Sequence, residues 1–166
     1  MLLALSLGSN LEDSAVLLQF AKDEISATVG EIVASSSIYQ TEPISDVAQD
    51  DYLNAVVLVE SDLEPMEILS RIQSIEAQAG RTRDVRWGPR TLDIDIVDAG
   101  GFSCENAELT IPHPRARERA FVLVPLMEVA PDWSLGGSDS LNELISKLGD
   151  QRIARMVDSP FKVGEA

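Results

Sequence analysis

Asp93 and Asp95 stand two residues apart in a run, Thr91-Leu92-Asp93-Ile94-Asp95-Ile96-Val97, that reads as a strand. Residues two apart on a strand share a face, so both carboxylates project together while Leu92, Ile94 and Ile96 turn the other way into a core. Two carboxylates side by side repel, and the pair calls for a cation between them or for a proton on one. Just upstream lie Arg81, Arg83, Arg86 and Arg90, with Trp87 among them and Gly88-Pro89 as loop punctuation. A hard divalent cation carrying a phosphate uses both sets, with carboxylates on Mg²⁺ and guanidinium groups on phosphate oxygens. An Asp-x-Asp on a strand is by itself an ordinary solvated face, and an Arg-rich loop is an ordinary solvated loop. Their direct abutment points to phosphoryl transfer.

The composition says what surrounds these residues. The chain has 166 residues, 45% hydrophobic and 25% charged, which suits one globular domain with a real core. Lys and Arg total 13 against 28 acids, a net charge of −15, which argues against non-specific binding to nucleic acid or to an anionic membrane. Seven of the ten arginines nevertheless fall between positions 81 and 119, the last three being Arg115, Arg117 and Arg119. A strongly acidic chain that gathers its arginines in one region is expected to hold an anion there. Cys104 is the single cysteine, so no internal disulfide forms, and the opening residues do not resemble a signal segment. The expectation is a cytoplasmic protein, with no apolar run long enough to span a membrane and a monomeric state.

The scaffold around the site can be read from pattern. Residues 2–7 form a short apolar run read as a buried strand, broken by Gly8-Ser9-Asn10. Residues 13–28 carry a helical period through Leu17, Phe20, Ala21, Glu24 and Ile25. Residues 32–39 read as a second strand and 52–60 as a third. Asp62 is read as the cap of a second helix reaching to about residue 79, with Pro65 in its first turn and Ile68, Leu69, Ile72 and Ile75 inward. Gly80 stops it. The fourth strand is the one bearing Asp93 and Asp95. Beyond it come an extended piece at 109–112, a short apolar helix at 121–129 halted by Pro131, and a last helix at 141–148. The residues after about 155 read as loosely held. The order β-α-β-β-α-β is the split βαβ pattern: an α+β, ferredoxin-like antiparallel sheet with two helices on one face and short C-terminal helices after it.

Neither a Gly-x-x-x-x-Gly-Lys loop nor a Gly-x-Gly-x-x-Gly fingerprint occurs, so the chain lacks the P-loop and dinucleotide signatures. His113 and Cys104 are each the only one of their kind, which excludes a His/Cys metal cluster. Cys104 reads as a small, partly buried residue. His113 could be a simple turn residue, yet Ile111-Pro112-His113-Pro114-Arg115 is a rigid loop carrying a donor beside a cation.

Arg86-Trp87-Gly88-Pro89-Arg90-Thr91-Leu92-Asp93-Ile94-Asp95-Ile96 resembles the signature of the 6-hydroxymethyl-7,8-dihydropterin pyrophosphokinase family. Leu7-Gly8-Ser9-Asn10-Leu11, Tyr39-Gln40-Thr41-Glu42-Pro43, Asp51-Tyr52-Leu53-Asn54-Ala55, the Ile111–Arg115 loop and Arg119-Ala120-Phe121-Val122-Leu123 agree in order and spacing, so the resemblance covers about residues 2 to 133. It implies a ferredoxin-like α+β fold and transfer of pyrophosphate from ATP to the hydroxymethyl group of a dihydropterin, with release of AMP. By that likeness Asp93 and Asp95 hold two Mg²⁺ ions, and Arg81 and Arg90 act with them in catalysis. Arg81, Arg83, Arg86 and Arg90 serve the triphosphate, with Trp87 alongside. Gln73, Glu76, Ile96, His113 and Arg119 lie around ATP. Tyr52 and Phe121 sandwich the pterin ring, Thr41, Pro43, Ile44 and Asn54 read its polar edge, and Trp87 touches this side too. The loops at 41–51 and 81–90 are implied lids. Asp98, after the fourth strand, and Asp84, among the arginines, depart from the family pattern.

The chemistry stands without the family as well. A β-phosphorus shielded by anionic oxygens needs positioning and charge neutralisation, and a flat pterin needs aromatic stacking and fixed donors at its edge. Three rivals remain at this point: a nucleotide-binding regulatory module without chemistry, a single-strand RNA binder on the same topology, and a structural interaction domain. The RNA binder needs exposed aromatics on central strands and a basic face, against a chain with 5% aromatics and a charge of −15.

Overall fold

The computed structural model describes residues 1–10, 13–42, 51–80 and 92–156. Its centre is β4 (Tyr52–Glu60), a nine-residue strand whose run from Asn54 to Val59 is buried. β1 (Leu2–Ser9) pairs antiparallel with β4 on one side, Ser6 opposite Val56 and Gly8 opposite Asn54. β5 (Asp93–Ala99) pairs antiparallel with β1, placing Asp95 opposite Ser6 and Asp93 opposite Gly8.

The other side of β4 is shared. β2 (Glu31–Ser35) pairs with its C-terminal half and β3 (Tyr39–Thr41) with its N-terminal half. The single strand expected over residues 32–39 is thus two strands. At the break the Ser36 hydroxyl accepts a hydrogen bond from the Val56 amide (2.9 Å) and donates to the Ser37 carbonyl (2.7 Å). A side-chain oxygen takes over as ladder acceptor, which lets the chain step sideways without leaving a buried amide unpaired.

α1 (Ser14–Thr28) and α2 (Pro65–Gln78) cover one face of the sheet, as the split βαβ pattern requires. Their core residues, Leu18, Ala21, Ile25, Ile68, Ile72 and Ile75, meet Leu3, Leu5 and Leu7 of β1 and Ile94 and Ile96 of β5. The phase of α1 differs from the expected one: Leu18 is fully buried where Leu17 had been expected to lead. Nor does Asp62 cap α2. Glu64 is its N-cap residue, with no side-chain capping bond, and Pro65 fills the first turn as expected. Gly80 ends this stretch at φ +77, a conformation that costs a side-chain-bearing residue about 1 kcal/mol or more.

The opposite face carries a second core. α3 (Ala120–Val129) and α4 (Leu141–Ser146) pack Val122, Leu123, Leu126, Leu141 and Leu144 against Ala4, Val56, Leu58 and Val97. Two small hairpins, β6–β7 (Cys104–Glu105 with Thr110–Ile111) and β8–β9 (Ser134–Leu135 with Asp139–Ser140), flank these helices in the chain. β10 (Ile153–Arg155), which the sequence pattern did not suggest, adds to the sheet beside β3. The strand order, β10-β3-β4-β1-β5 with β2 also on β4, makes this an α+β fold on an antiparallel sheet. No helix among the described residues is long and apolar enough to cross a membrane.

Candidate active site

The second face of the sheet changes character along its length. On β4, Leu58 and Val56 pack under α3, whereas Asn54 and Tyr52 continue the same face beyond it. On β1 the series runs Ala4, Ser6, Gly8, and on β5 it runs Val97, Asp95, Asp93. Each strand is apolar where the helix covers it and polar where it does not. Period-two alternation carries all three series to one place. That place is a cleft of about 210 Å³, walled by Ser6, Gly8, Thr41, Glu42, Tyr52, Asn54, Asp93, Asp95, Arg115, Arg119 and Phe121.

The floor of the cleft is held by short polar contacts. Asn54 Nδ2 donates to Thr41 Oγ1 at 2.5 Å, which fixes the carboxamide and points its Oδ1 toward Gly8. A Cβ on Gly8 would come within 2.9 Å of that oxygen, so this position admits only glycine without moving the amide. Asp93 and Asp95 are half-buried on the strand face, as the Asp-x-Asp spacing predicts, with Leu92, Ile94 and Ile96 buried behind them. Phe121 stands in the first turn of α3, and the Arg119 guanidinium lies 5.3 Å from its ring centroid.

Charge converges on Asp95. Burial lowers the Arg119 guanidinium below its ordinary value, and the nearby Arg115 adds to this. Asp95, Glu118 and Asp93 oppose the shift and favour the cation. Burial likewise lowers the His113 imidazole, with Arg119 and Arg115 pushing the same way against Asp95. His113 Nδ1 accepts the Arg115 amide at 3.2 Å, an arrangement that leaves the proton of the neutral ring on Nε2.

Asp95 also borders a second cleft, of about 260 Å³, between α2, the edge of β5 and the β6–β7 hairpin. Leu69, Ile72 and Ile96 give it an apolar wall, and residues 106–110 with His113 and Pro114 close it. The carboxylate therefore sits where a polar, aromatic-walled cleft meets an apolar slot.

Of the residues singled out from the sequence, Thr41, Tyr52, Asn54, Asp93, Asp95, Arg119 and Phe121 come together in the first cleft, and Ile96 and His113 in the second. Gln73 is exposed on α2 and lines neither. Glu76 is buried, and its Oε2 accepts the Ile94 amide at 3.1 Å, so it ties α2 to the carboxylate strand from behind. Pro43, Ile44, Arg81, Arg83, Arg86, Trp87 and Arg90 lie outside the described residues, as do most of both implied lids. Arg117, counted in the arginine cluster, turns away to pair with Asp139 at 2.7 Å. Ser6, Glu42 and Arg115 line the first cleft without having been singled out as site residues. For Ser6 the signal was available: it is the polar member of an apolar strand, two residues before Gly8.

Two hard oxygen donors on one strand face, beside arginines and an open cleft, are a donor set suited to Mg²⁺, which takes one or two carboxylates and completes its shell with water and substrate phosphate. Asp93 and Asp95 are the residues that would hold it. Among the described residues no group of three or more potential ligands forms a closed metal site.

The family model described as 7,8-dihydro-6-hydroxymethylpterin-pyrophosphokinase (HPPK) matches residues 4–131. A protein of Methylorubrum extorquens named 2-amino-4-hydroxy-6-hydroxymethyldihydropteridine pyrophosphokinase is 44% identical over 153 residues, 92% of this chain and 96% of that one. Its namesake from Haemophilus influenzae is 39% identical over the same shares. Among solved structures, the wild-type HPPK-DHPS of Plasmodium falciparum with pteroate superposes with a TM-score of 0.69 at 16% identity, over 88% of this chain. This chain spans 42% of the length of that one, and the likeness speaks for the fold.

Proposed function

The chain belongs to the 7,8-dihydro-6-hydroxymethylpterin-pyrophosphokinase family, and from that premise we propose that it transfers pyrophosphate from ATP to 6-hydroxymethyl-7,8-dihydropterin, a step of folate biosynthesis. The hydroxymethyl oxygen bonds to the β-phosphorus and its proton is released. The bond from that phosphorus to the oxygen bridging to the α-phosphate breaks, and AMP leaves with that oxygen. One observation carries the reading: a pair of carboxylates, Asp93 and Asp95, faces Arg115 and Arg119 across a cleft that Tyr52 and Phe121 line.

Each group has a task the chemistry requires. Tyr52 and Phe121 supply faces for a flat heterocycle, and Thr41 and Asn54 supply fixed hydrogen-bonding atoms for its edge. Pro43, Ile44 and Trp87 complete this side. Leu69, Ile72 and Ile96 form an apolar slot that accepts a nucleobase, with His113 Nε2 and Arg119 toward its phosphates, and Gln73 and Glu76 behind or beside it. Arg81, Arg83, Arg86 and Arg90 neutralise the triphosphate, Arg90 most directly because it adjoins the carboxylate strand. When bound at Asp93 and Asp95, two Mg²⁺ ions supply charge neutralisation and Lewis acidity at the transferring phosphate. The chain's own part is to hold acceptor and donor in line and keep the approach rigid. We propose the chain as one domain acting as a monomer in the cytoplasm.

The test is to mix protein, MgCl₂, ATP and 6-hydroxymethyl-7,8-dihydropterin and follow AMP. Stoichiometric AMP and pterin diphosphate are expected. Binding of ATP with no AMP formed would move the assignment to a nucleotide-binding module.

A further inference from the structure

Gln151 lies 30 residues beyond Phe121 in the sequence and lines neither of the two clefts, yet its carboxamide is spent wholly on one turn of the site. Its Oε1 accepts the Ala120 amide at 2.9 Å, and its Nε2 donates to the Glu118 carbonyl at 2.7 Å. These two groups flank Arg119. A side-chain amide that bonds N–H on one side of a residue and C=O on the other acts on it as a neighbouring strand would.

Arg119 is held accordingly in an extended conformation, φ −116° and ψ 109°, between a 3₁₀ turn at Ala116–Glu118 and the start of α3. As N-cap of α3 it offers no side-chain capping bond, and the Ala120 amide is one of the donors a helix start leaves unpaired. The cap comes instead from a residue 31 positions away. Gln151 is in turn fixed by its C-terminal neighbours. The Arg152 amide donates to Glu42 Oε1 at 3.1 Å, its guanidinium bonds Asp51 at 2.7 Å, and β10 then runs along β3.

We propose that Gln151 is a positioning residue for the anion-binding side of the cleft: by clamping the backbone on both sides of Arg119 it sets the direction in which that guanidinium enters. This rests on the pyrophosphokinase reading, in which Arg119 meets the triphosphate. An exposed arginine finds its own rotamer, whereas the half-buried Arg119, its guanidinium 5.3 Å from the Phe121 ring centroid, has less freedom and depends more on where its backbone starts.

The experiment is a double-mutant cycle on Mg·ATP affinity by titration calorimetry, using Gln151→Ala, Arg119→Ala and the double variant, with Gln151→Glu as a near-isosteric second probe. Gln151→Glu keeps the acceptor and puts an anion against the Glu118 carbonyl. Each Gln151 variant is expected to lose about five-fold or more in affinity beside intact Arg119, and less than about two-fold once Arg119 is gone. Amide exchange at Ala120 is expected to accelerate at least about ten-fold in Gln151→Ala while the sheet amides keep their protection. Wild-type affinity in both Gln151 variants, or an equal loss with and without Arg119, overturns the proposal and leaves the reaction assignment standing. A wild-type protein that binds no Mg·ATP overturns both.

Discussion

At the scale of single residues the site depends on Asp95, which borders both clefts and faces Arg119, Arg115 and His113. Asp95→Asn keeps the shape and removes one charge. Turnover is expected to fall by about 10²–10³ or more, the scale of losing a central electrostatic group, with pterin binding largely kept. The melting temperature of the metal-free protein is expected to change little, because relief of the repulsion between Asp93 and Asp95 offsets the lost attraction of Asp95 to Arg119. AMP release at saturating ATP and Mg²⁺ beside a thermal melt reads both, and near wild-type turnover in Asp93→Asn and Asp95→Asn would exclude the carboxylate pair from the chemistry. Phe121 supports a different ligand. Phe121→Ala is expected to weaken pterin binding by about 1–3 kcal/mol, the usual loss of a buried aromatic contact, with the fold checked by circular dichroism. Unchanged pterin affinity would return Phe121 to core packing. These residues were legible because alternation on a strand is a strict rule: Asp93 and Asp95 had to share a face, and Ile94 and Ile96 had to oppose them. Glu42 was not legible, since nothing local says which way a loop side chain turns, and Arg115 was legible only as one of the gathered arginines, not as a wall of this cleft.

At the scale of elements the question is what keeps β5 in register with its carboxylates facing the cleft. β1 supplies one edge, and Glu76 on α2 supplies a bond from the far side through the Ile94 amide. Glu76→Ala leaves that buried amide unpaired and is expected to cost about 1–3 kcal/mol of stability. Glu76→Gln, which keeps an acceptor, is expected to cost much less. Urea unfolding midpoints read the difference. A loss of ATP affinity in Glu76→Gln at full stability would show instead that the residue meets nucleotide. The same element-level view explains where the sequence pattern fell short. Strand β5 and helices α1 and α2 announce themselves by period, because each turns one face to the core, whereas β1 and β4, buried on both faces, announce themselves as unbroken apolar runs. The break between β2 and β3 does not, because it depends on the Ser36 hydroxyl meeting Val56 twenty residues away. Nor does β10, a three-residue strand with an exposed composition that exists through its partner β3. Asp98 looked like a departure from the family pattern. It is a buried anchor, accepting the Ala99 amide (2.9 Å), the Trp133 indole N–H (2.9 Å) and the Gly136 amide (3.0 Å).

At the scale of the whole molecule, two layers must stay registered on one sheet: α1 and α2 behind it, α3 and α4 before it. The front layer also counts against a single-strand RNA binder of this topology, because α3 covers part of the face that such a binder would leave open. That layer is fastened at Glu128 of α3, which accepts the Ser37 amide (3.0 Å), the Ser37 hydroxyl (2.7 Å) and the Tyr39 hydroxyl, with Arg155 close by at 3.6 Å. Burial pushes the Glu128 carboxyl up, but these hydrogen bonds and the Arg155 charge outweigh it and leave it below the ordinary carboxylate value. Burial pushes the Tyr39 phenol well up, and its bond to Glu128 and the carboxylate charge add to that, against Arg155. The two groups bound the stable range from opposite sides. As pH falls past the ordinary carboxylate value the unfolded chain takes up its proton first, so the contribution of Glu128 is present above that value and disappears as pH drops through its folded pKa. As pH rises past about 10 the unfolded chain loses the phenolic proton first, so the contribution of Tyr39 is full below that point and is lost as pH climbs toward the folded pKa. Glu128→Gln is therefore expected to flatten the acid limb of a plot of unfolding free energy against pH, and Tyr39→Phe the alkaline limb, each compared with wild type at fixed salt. The net charge of −15 bends the whole curve through self-repulsion, but it does so almost equally in all three proteins and drops out of the comparison. Limbs that superpose on wild type in both variants would mean that α3 is held to β3 by apolar packing alone.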